Sequence, residues 1–308
     1  MSSVAFVAVD WGTSSFRAWA VGFDGAVCAH HSDAQGMGSL TPPEFSPVLE
    51  TALDQIGVGA SVPVVACGMV GAAQGWIDVP YMAIDEGLEK LADRAQEAPG
   101  TARKVFILPG VKQSVPFNVM RGEETQIAGF LQSQPDFSGV ICLPGTHSKW
   151  VVVADGQIQY FWTAMTGEMF GLLSSRSVLR HSMAGSGWDQ ANFEAACSCA
   201  LAEPEVVAMK IFEIRAEALL TGPAPEAARA RLSGLLVGFE LAATRKLWDK
   251  QPVHLIGAPE LMRNYTEALS HVNVVATCND ATALTLGGLS TAAKRLLELT
   301  PATLGGGV

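Results

Sequence analysis

The sequence predicts an α/β protein of two halves, each a mixed sheet with helices packed against it. Three observations carry this. An uncharged run, Val4 to Val9, leads through Asp10 into the polar turn Gly12-Thr13-Ser14-Ser15 and a second strand-like run, Phe16 to Val21. The same order of strand, Gly-Thr turn, strand, Asp-Gly turn and strand returns from Gly139, about 130 residues on, which reads as a duplication. Around these two units, strand-like runs alternate with helical ones.

The elements follow from local chemistry. Val4 to Val9 carries no charge, as a strand buried on both faces requires, and Asp24-Gly25 turns the chain into a third strand from Ala26. Pro42 to Ile56 reads as a helix entered through prolines, and Val62 to Ala66 as another uncharged strand. That strand runs into CGMVGAAQGW, Cys67 to Trp76, which is either a binding loop or a structural one plugged into the core by Trp76. Ile84 to Glu97 is expected to be helical, and Val105 to Leu108 a strand halted by Pro109-Gly110. Ile127, Phe130 and Leu131 have helical spacing, with Gly122-Glu123-Glu124-Thr125 at the helix start; the dipole alone would favour carboxylates there.

The second copy runs from Gly139 through the turn Gly145-Thr146-His147-Ser148, Lys149 to Ala154 and Asp155-Gly156, then continues to Thr163–Glu168. Residues 170–248 read as mostly helical, most clearly Leu232 to Leu247, where Gly234 and Gly238 leave room for another element. Gly185 to Gly187 is a loop. Val253 to Ile256 is a strand, followed by Gly257-Ala258 and a helix from Pro259. Val272 to Ala276 is the last expected strand, and Asp280 is expected to cap a closing helix through Leu297. The polar patch QSQPD sets the expected domains at 1–136 and 137–308, with a hinge at Ser133 to Ser138 and a frayed tail at Gly305 to Gly307.

Composition narrows the function. The 308 residues, 49% of them hydrophobic, suffice for two cores, and the net charge of −10 argues against nucleic acid or an anionic membrane as the main partner. Six scattered cysteines lack zinc or redox spacing and read as reduced thiols. No run reaches the length of a membrane span and no leader pattern is visible, so a cytoplasmic protein is expected. His30-His31 has no partner spacing for a metal.

The two turns carry the candidate chemistry. Gly12 lets backbone approach a ligand, and the hydroxyls and N–H groups of Thr13, Ser14 and Ser15 can face an anion. Asp10, at the carboxyl end of the strand, is suited to hold a hydrated cation beside that anion, and a magnesium nucleotide has both parts. A surface turn satisfying only its own backbone is the other reading of the first copy; the second copy favours the ligand. No Gly-Lys-Ser/Thr loop and no protein-kinase catalytic loop is present.

The stretches VAVDWGTSSFRAW, CGMVGAAQGW, NVMRGEETQ, PGTHSKWVV and TAMTGE, in that order, resemble the 2-dehydro-3-deoxygalactonokinase family of the sugar kinase, actin and Hsp70 superfamily. The resemblance spans nearly the whole chain, is strongest from Ala5 to Glu168, and departs at Gly257-Ala258-Pro259, where Gly-Ser-Ser is the family expectation. It implies two ribonuclease-H-like domains with a nucleotide cleft between them, ATP and Mg2+ as cofactors, and closure that excludes water. It also implies transfer of phosphate to the terminal hydroxyl of 2-dehydro-3-deoxy-D-galactonate.

Roles follow from the resemblance. Related carbohydrate kinases carry the base in a Gly-Asp-Gln segment about twenty residues before the second phosphate turn, a place held here by Gly122-Glu123-Glu124. Glu123 is thus the expected base, with Glu124 and Asp10 as alternatives and Asp10 preferred as magnesium ligand. Gly12, Thr13, Ser14, Gly145, Thr146, His147, Ser148 and Lys149 are expected at the phosphates, and Gly257 and Ala258 at the adenine. Trp76, Asn118, Arg121 and Arg17 are expected at the sugar acid, whose carboxylate needs donors. The rival readings are a kinase of another sugar acid, a nucleotide-gated interaction protein and a phosphohydrolase. A homo-oligomer is compatible with all of them.

Overall fold

The computed structural model describes residues 4–183, 187–222 and 224–298, so the expected glycine tail and most of the Gly185 to Gly187 loop lie outside the described residues. The chain forms two units. The first comprises the chain through Phe137, Ala154–Tyr160 and the chain from Ala281; the second comprises Ser138–Val153 and Phe161–Asp280.

In the first unit, β1 (Val4–Trp11), β2 (Phe16–Gly22) and β3 (Val27–Asp33) form an antiparallel meander. Helix α1 (Phe45–Gln55) follows, and β4 (Val64–Cys67) pairs in parallel with β1. Strands β5 (Met82–Ala83), β6 (Gln96–Glu97) and β7 (Val105–Ile107) come next, giving a sheet of order β3-β2-β1-β4-β7-β6. Alternation along β1 divides the core. Val7, Val9 and Trp11 pack with Phe45, Leu49 and Leu53 of α1 on one face, and Phe6 and Ala8 join Leu289 and Ala292 on the other. A hairpin of β8 (Val111–Ser114) and β9 (Phe117–Met120) pairs with β5 and leads into α2 (Glu123–Ser133).

The second unit repeats this order. Its strands β10 (Gly139–Leu143), β11 (Ser148–Ala154) and β12 (Gln157–Ala164) are followed by α3 (Thr166–Arg176), α4 (Gln190–Ala202), α5 (Val207–Leu220) and α6 (Pro225–Trp248). Then come β13 (Val253–Gly257), α7 (Pro259–Ser270) and β14 (Ala276–Asp280). The sheet order β12-β11-β10-β13-β14 matches β3-β2-β1-β4-β7 position for position. In each sheet the first strand pairs antiparallel with the second and parallel with the fourth. The fold is thus α/β, with a ribonuclease-H-like strand order in each unit. Gly234 and Gly238 of α6 do admit a close neighbour: a Cβ at either would strike the carbonyl of Phe193 or Cys197 in α4.

Three expectations need correction. Ile84 to Glu97 is a series of short 3-10 turns ending in β6, because Gly87 at φ +88° breaks the helical path. The last strand is Ala276–Asp280, starting four residues later than the expected Val272 to Ala276, since Asn273 at φ +60° still belongs to the turn leaving α7. Helix α8 (Ala281–Leu296) groups with the first unit, whereas the expected second domain ran to the end of the chain. It packs on α2 at glycine contacts: a Cβ at Gly129 would strike the Leu284 carbonyl, and one at Gly288 the Thr125 carbonyl.

Candidate active site

In the first unit, three carboxylates gather where parallel strands end and a helix begins. Asp10 is aligned with Cys67 across β1 and β4. Gly68 follows at φ +94°, and a Cβ on it would lie 2.7 Å from the Trp11 carbonyl and 3.3 Å from Asp10 Oδ1. Gly122, at φ +108°, abuts the Gly68 Cα, with 3.4 Å from its notional Cβ. Two glycines that need both unusual backbone and close approach thus bring the α2 N-terminus against the end of β4.

The carboxylates differ in environment. Asp10 is 14% exposed at its side chain and ion-paired to Arg17; burial raises its carboxyl above the usual range, Arg17 pulls it down, and Glu123 pushes it up. Glu124 is fully buried, accepting from the Gly122 N–H at 2.7 Å and the Thr125 hydroxyl at 3.1 Å. Burial, then the charge of Glu123, lifts it to about 8. Glu123 is half-buried, and its Oε2 accepts the Arg121 N–H at 3.1 Å. Beside them the buried Cys67 thiol is held well above its usual value by burial and the neighbouring carboxylates.

The expected sugar-acid contacts divide. Arg17 is committed to Asp10, with Thr282 Oγ1 at 3.4 Å from its Nη1. Trp76 is a core residue, 8% exposed, with its ring stacked on Phe45 at 5.8 Å and edge-on to Trp11 at 6.2 Å; the apolar floor of the sheet claims it. Asn118 is half-buried on β9, opposite the buried Gln113. Arg121 is 7% exposed, lies 4.3 Å over the Tyr81 ring and donates to the Val79 carbonyl at 2.8 Å. Its Nε and Nη1 are buried with no hydrogen-bond partner.

The two turns are built differently. Thr13, Ser14 and Ser15 are exposed, and the backbone is fixed by Met37 N–H to the Gly12 carbonyl at 2.9 Å and Gly38 N–H to the Thr13 carbonyl at 2.8 Å. In the second turn Gly145, Thr146 and His147 face outward, while Ser148 and Lys149 are buried. Ser148 meets the Tyr265 hydroxyl at 3.1 Å, and Lys149 Nζ donates to the His147 carbonyl at 2.9 Å, so these two side chains brace the turn, where a place at the phosphates was expected. His147 pairs with Glu168 at 2.6 Å, in the first turn of α3, and Glu168 N–H donates to the Thr146 carbonyl at 3.0 Å. Gly167 lies against the Gly145 carbonyl, where any Cβ would collide.

Next to this turn the second unit contains a cavity of about 570 Å³, lined by Gly145, Phe170, Trp188, Arg229, Ala258 and Asn264 among others. Ala258 stands on its wall, whereas Gly257 packs towards the Pro144 carbonyl, 3.2 Å from its notional Cβ. Phe170 and Arg229, stacked at 5.1 Å, come from α3 and α6, a convergence with no local sequence signal.

A family model described as 2-keto-3-deoxy-galactonokinase matches residues 10–292, from Asp10 into the last helix. The chain belongs to the 2-keto-3-deoxy-galactonokinase family. It is 38% identical over 300 residues to a probable 2-dehydro-3-deoxygalactonokinase of Rhizobium meliloti (strain 1021), covering 96% of this chain and 98% of that one. It is 34% identical over 272 residues to the 2-dehydro-3-deoxygalactonokinase of Escherichia coli (strain K12), covering 85% and 88%. The crystal structure of a 2-dehydro-3-deoxygalactonokinase candidate from Sinorhizobium meliloti superposes with a TM-score of 0.89 at 38% identity, covering 94% of this chain and 99% of that one.

Membership in a galactonokinase family implies use of ATP, and the donor set can be tested for the metal that accompanies it. Among the described residues, no group of three or more His, Cys, Asp or Glu could hold a metal ion. A magnesium-type cation needs no such cluster, since it keeps waters and phosphate oxygens and takes only one or two carboxylates. No helix among the described residues is long and apolar enough to cross a membrane.

Proposed function

We propose that this kinase transfers the terminal phosphoryl group of ATP to the terminal hydroxyl of 2-dehydro-3-deoxy-D-galactonate, with the sugar acid bound by the first unit and the nucleotide by the second. The observation that carries the reading is the half-buried Glu123, set beside Asp10 at the strand ends in a chain whose family relatives bear this activity in their names. Glu123 takes the proton of the attacking hydroxyl. Its Oε2 accepts the Arg121 N–H, which orients the carboxylate. Glu124 is closed off from any acceptor, so its role is to cap Gly122 and fix the helix start.

Asp10 would hold Mg2+, which would supply charge neutralisation at the transferring group. Arg17 holds the Asp10 carboxylate in its orientation. Arg121 is assigned to the substrate's carboxylate, since two buried N–H donors without a partner mark a place that an anion would satisfy. Asn118 is assigned to a substrate hydroxyl. In the second unit, Gly145, Thr146 and His147 face the phosphates, and the cavity beside Ala258 takes adenosine. The exposed Thr13 and Ser14 serve the phosphates from the first turn. The six free thiols support a reducing compartment, and we assign the enzyme to the cytoplasm.

The test is ADP release with magnesium and ATP against 2-keto-3-deoxygalactonate, 2-keto-3-deoxygluconate, galactonate, glycerol, glucose and no acceptor. Release with the galacto-configured keto-deoxy acid above all others is expected. Equal release without acceptor would replace this reading by a phosphohydrolase, and preference for another acid would change the substrate.

A further inference from the structure

The chemistry above makes no use of the carboxylate of Glu240, although three buried side chains donate to it. Glu240 lies in α6 and is 3% exposed. Its Oε1 accepts from Trp150 Nε1 at 2.7 Å, and its Oε2 accepts from the Tyr265 hydroxyl at 2.8 Å and from the Thr166 hydroxyl. Having donated its proton to Glu240, Tyr265 takes a hydrogen bond from Ser148 at 3.1 Å.

These partners share a location. Ser148 closes the second phosphate turn. Thr166 opens α3, the helix whose Gly167 lies against the Gly145 carbonyl, and Tyr265 comes from α7. Gly145, Thr166, Gly167 and Tyr265 all line the 570 Å³ cavity. One buried carboxylate therefore ties the turn, the start of α3 and the α7 wall to α6.

Stability alone gives little reason for such a group. Burying a carboxylate costs desolvation energy, and replacing a whole buried polar cluster by well-packed apolar residues is often neutral or stabilising. What a carboxylate adds is direction, because it fixes three donors in one geometry. We infer that Glu240 is a positioning residue for the nucleotide, holding the phosphate turn in register with the adenosine wall. This rests on the reading that the second unit binds ATP.

The experiment titrates ADP into the wild type, Glu240→Met and Tyr265→Phe by calorimetry, with melting curves and steady-state kinetics alongside. Glu240→Met leaves three buried donors without an acceptor and is expected to melt several degrees lower, while its Kd for ADP rises roughly tenfold and KM for the sugar acid stays within about twofold. Tyr265→Phe removes one hydroxyl and is expected to raise Kd roughly threefold without a matching loss of stability. Wild-type affinity in both variants would make Glu240 a core residue only and overturn the inference. If Glu240→Met fails to fold, Tyr265→Phe decides by the same criterion. A wild type that binds no ADP would bring down the parent reading itself, and the same titration shows that before any variant is compared.

Discussion

Asp10 and Arg17 stand directly opposite each other in the antiparallel pair β1–β2 and form an ion pair there. A cross-strand pair on a rigid sheet has little freedom, so the guanidinium fixes both the charge and the orientation of the carboxylate. Arg17 was expected at the sugar acid; the sheet register instead sets it against Asp10.

Removing that cation has a predictable sign. Arg17 lowers the Asp10 pKa against the rise caused by burial and Glu123, so Arg17→Ala lets it climb further. The acid limb of the kcat/KM profile is expected to move to higher pH, with activity lost first on the acid side. Profiles recorded from pH 5 to 9 check this, and an unmoved acid limb would separate Asp10 from the activity.

Glu123 and Glu124 are adjacent in sequence but in different surroundings, and substitution by glutamine separates them. Glu123→Gln is expected to lower kcat by about 10²–10⁴-fold, the usual contribution of a general base, with ADP affinity nearly unchanged. Glu124→Gln keeps the shape and can still accept from the Gly122 N–H, so kcat is expected within about threefold of wild type. Steady-state kinetics and ADP titration of the two variants measure this, and the reverse ranking would move the base to Glu124.

The hairpins were legible because burial on both faces leaves a signature of its own: Val4 to Val9 and Val140 to Leu143 carry no charge and end in Gly-Thr turns. The Ile84 to Glu97 segment was not, since its apolar spacing is helical and only the backbone of Gly87 interrupts it. At the site, Asp10 and the turns stand out by local pattern, whereas Glu123 is singled out only by the family resemblance. The roles of Ser148 and Lys149 were not legible: inside a turn, sequence cannot say whether a polar side chain faces a ligand or braces the loop from beneath. Glu240, Tyr265 and Trp150 were invisible because they converge from three elements with no common motif.

Glu124 also predicts how stability varies with pH. Its folded pKa, about 8, lies above the ordinary 4.5, so the folded protein holds a proton that the unfolded chain releases. That contribution is fully present below about 4.5 and is lost as pH rises towards 8, by up to ~1.4 kcal/mol per pH unit. Glu124→Gln removes the titration. The melting temperature of the variant relative to wild type is therefore expected to rise between pH 5 and 9. Parallel curves for the two proteins across that range would show that the carboxyl is not held neutral.

The crossing of α2 and α8 links stability to catalysis within the first unit. Glu123 stands on the first turn of α2, and the position of that helix depends on Gly129 and Gly288, where backbone meets backbone. Gly288→Ala puts a methyl group against the Thr125 carbonyl one turn from Glu123, and α2 must shift to admit it. Overpacking of this kind costs about 1–3 kcal/mol. A shift of the base by a fraction of an ångström acts on turnover more than on binding, because it spoils alignment with the hydroxyl. Gly288→Ala is therefore expected to melt a few degrees lower and to lose roughly tenfold in kcat, with ADP affinity nearly unchanged because Gly288 touches neither the phosphate turns nor the cavity assigned to adenosine. Calorimetric melting, kinetics and ADP titration of one preparation test all three. Loss of stability with full kcat would mean that α2 yields at its far end and leaves Glu123 where it stands.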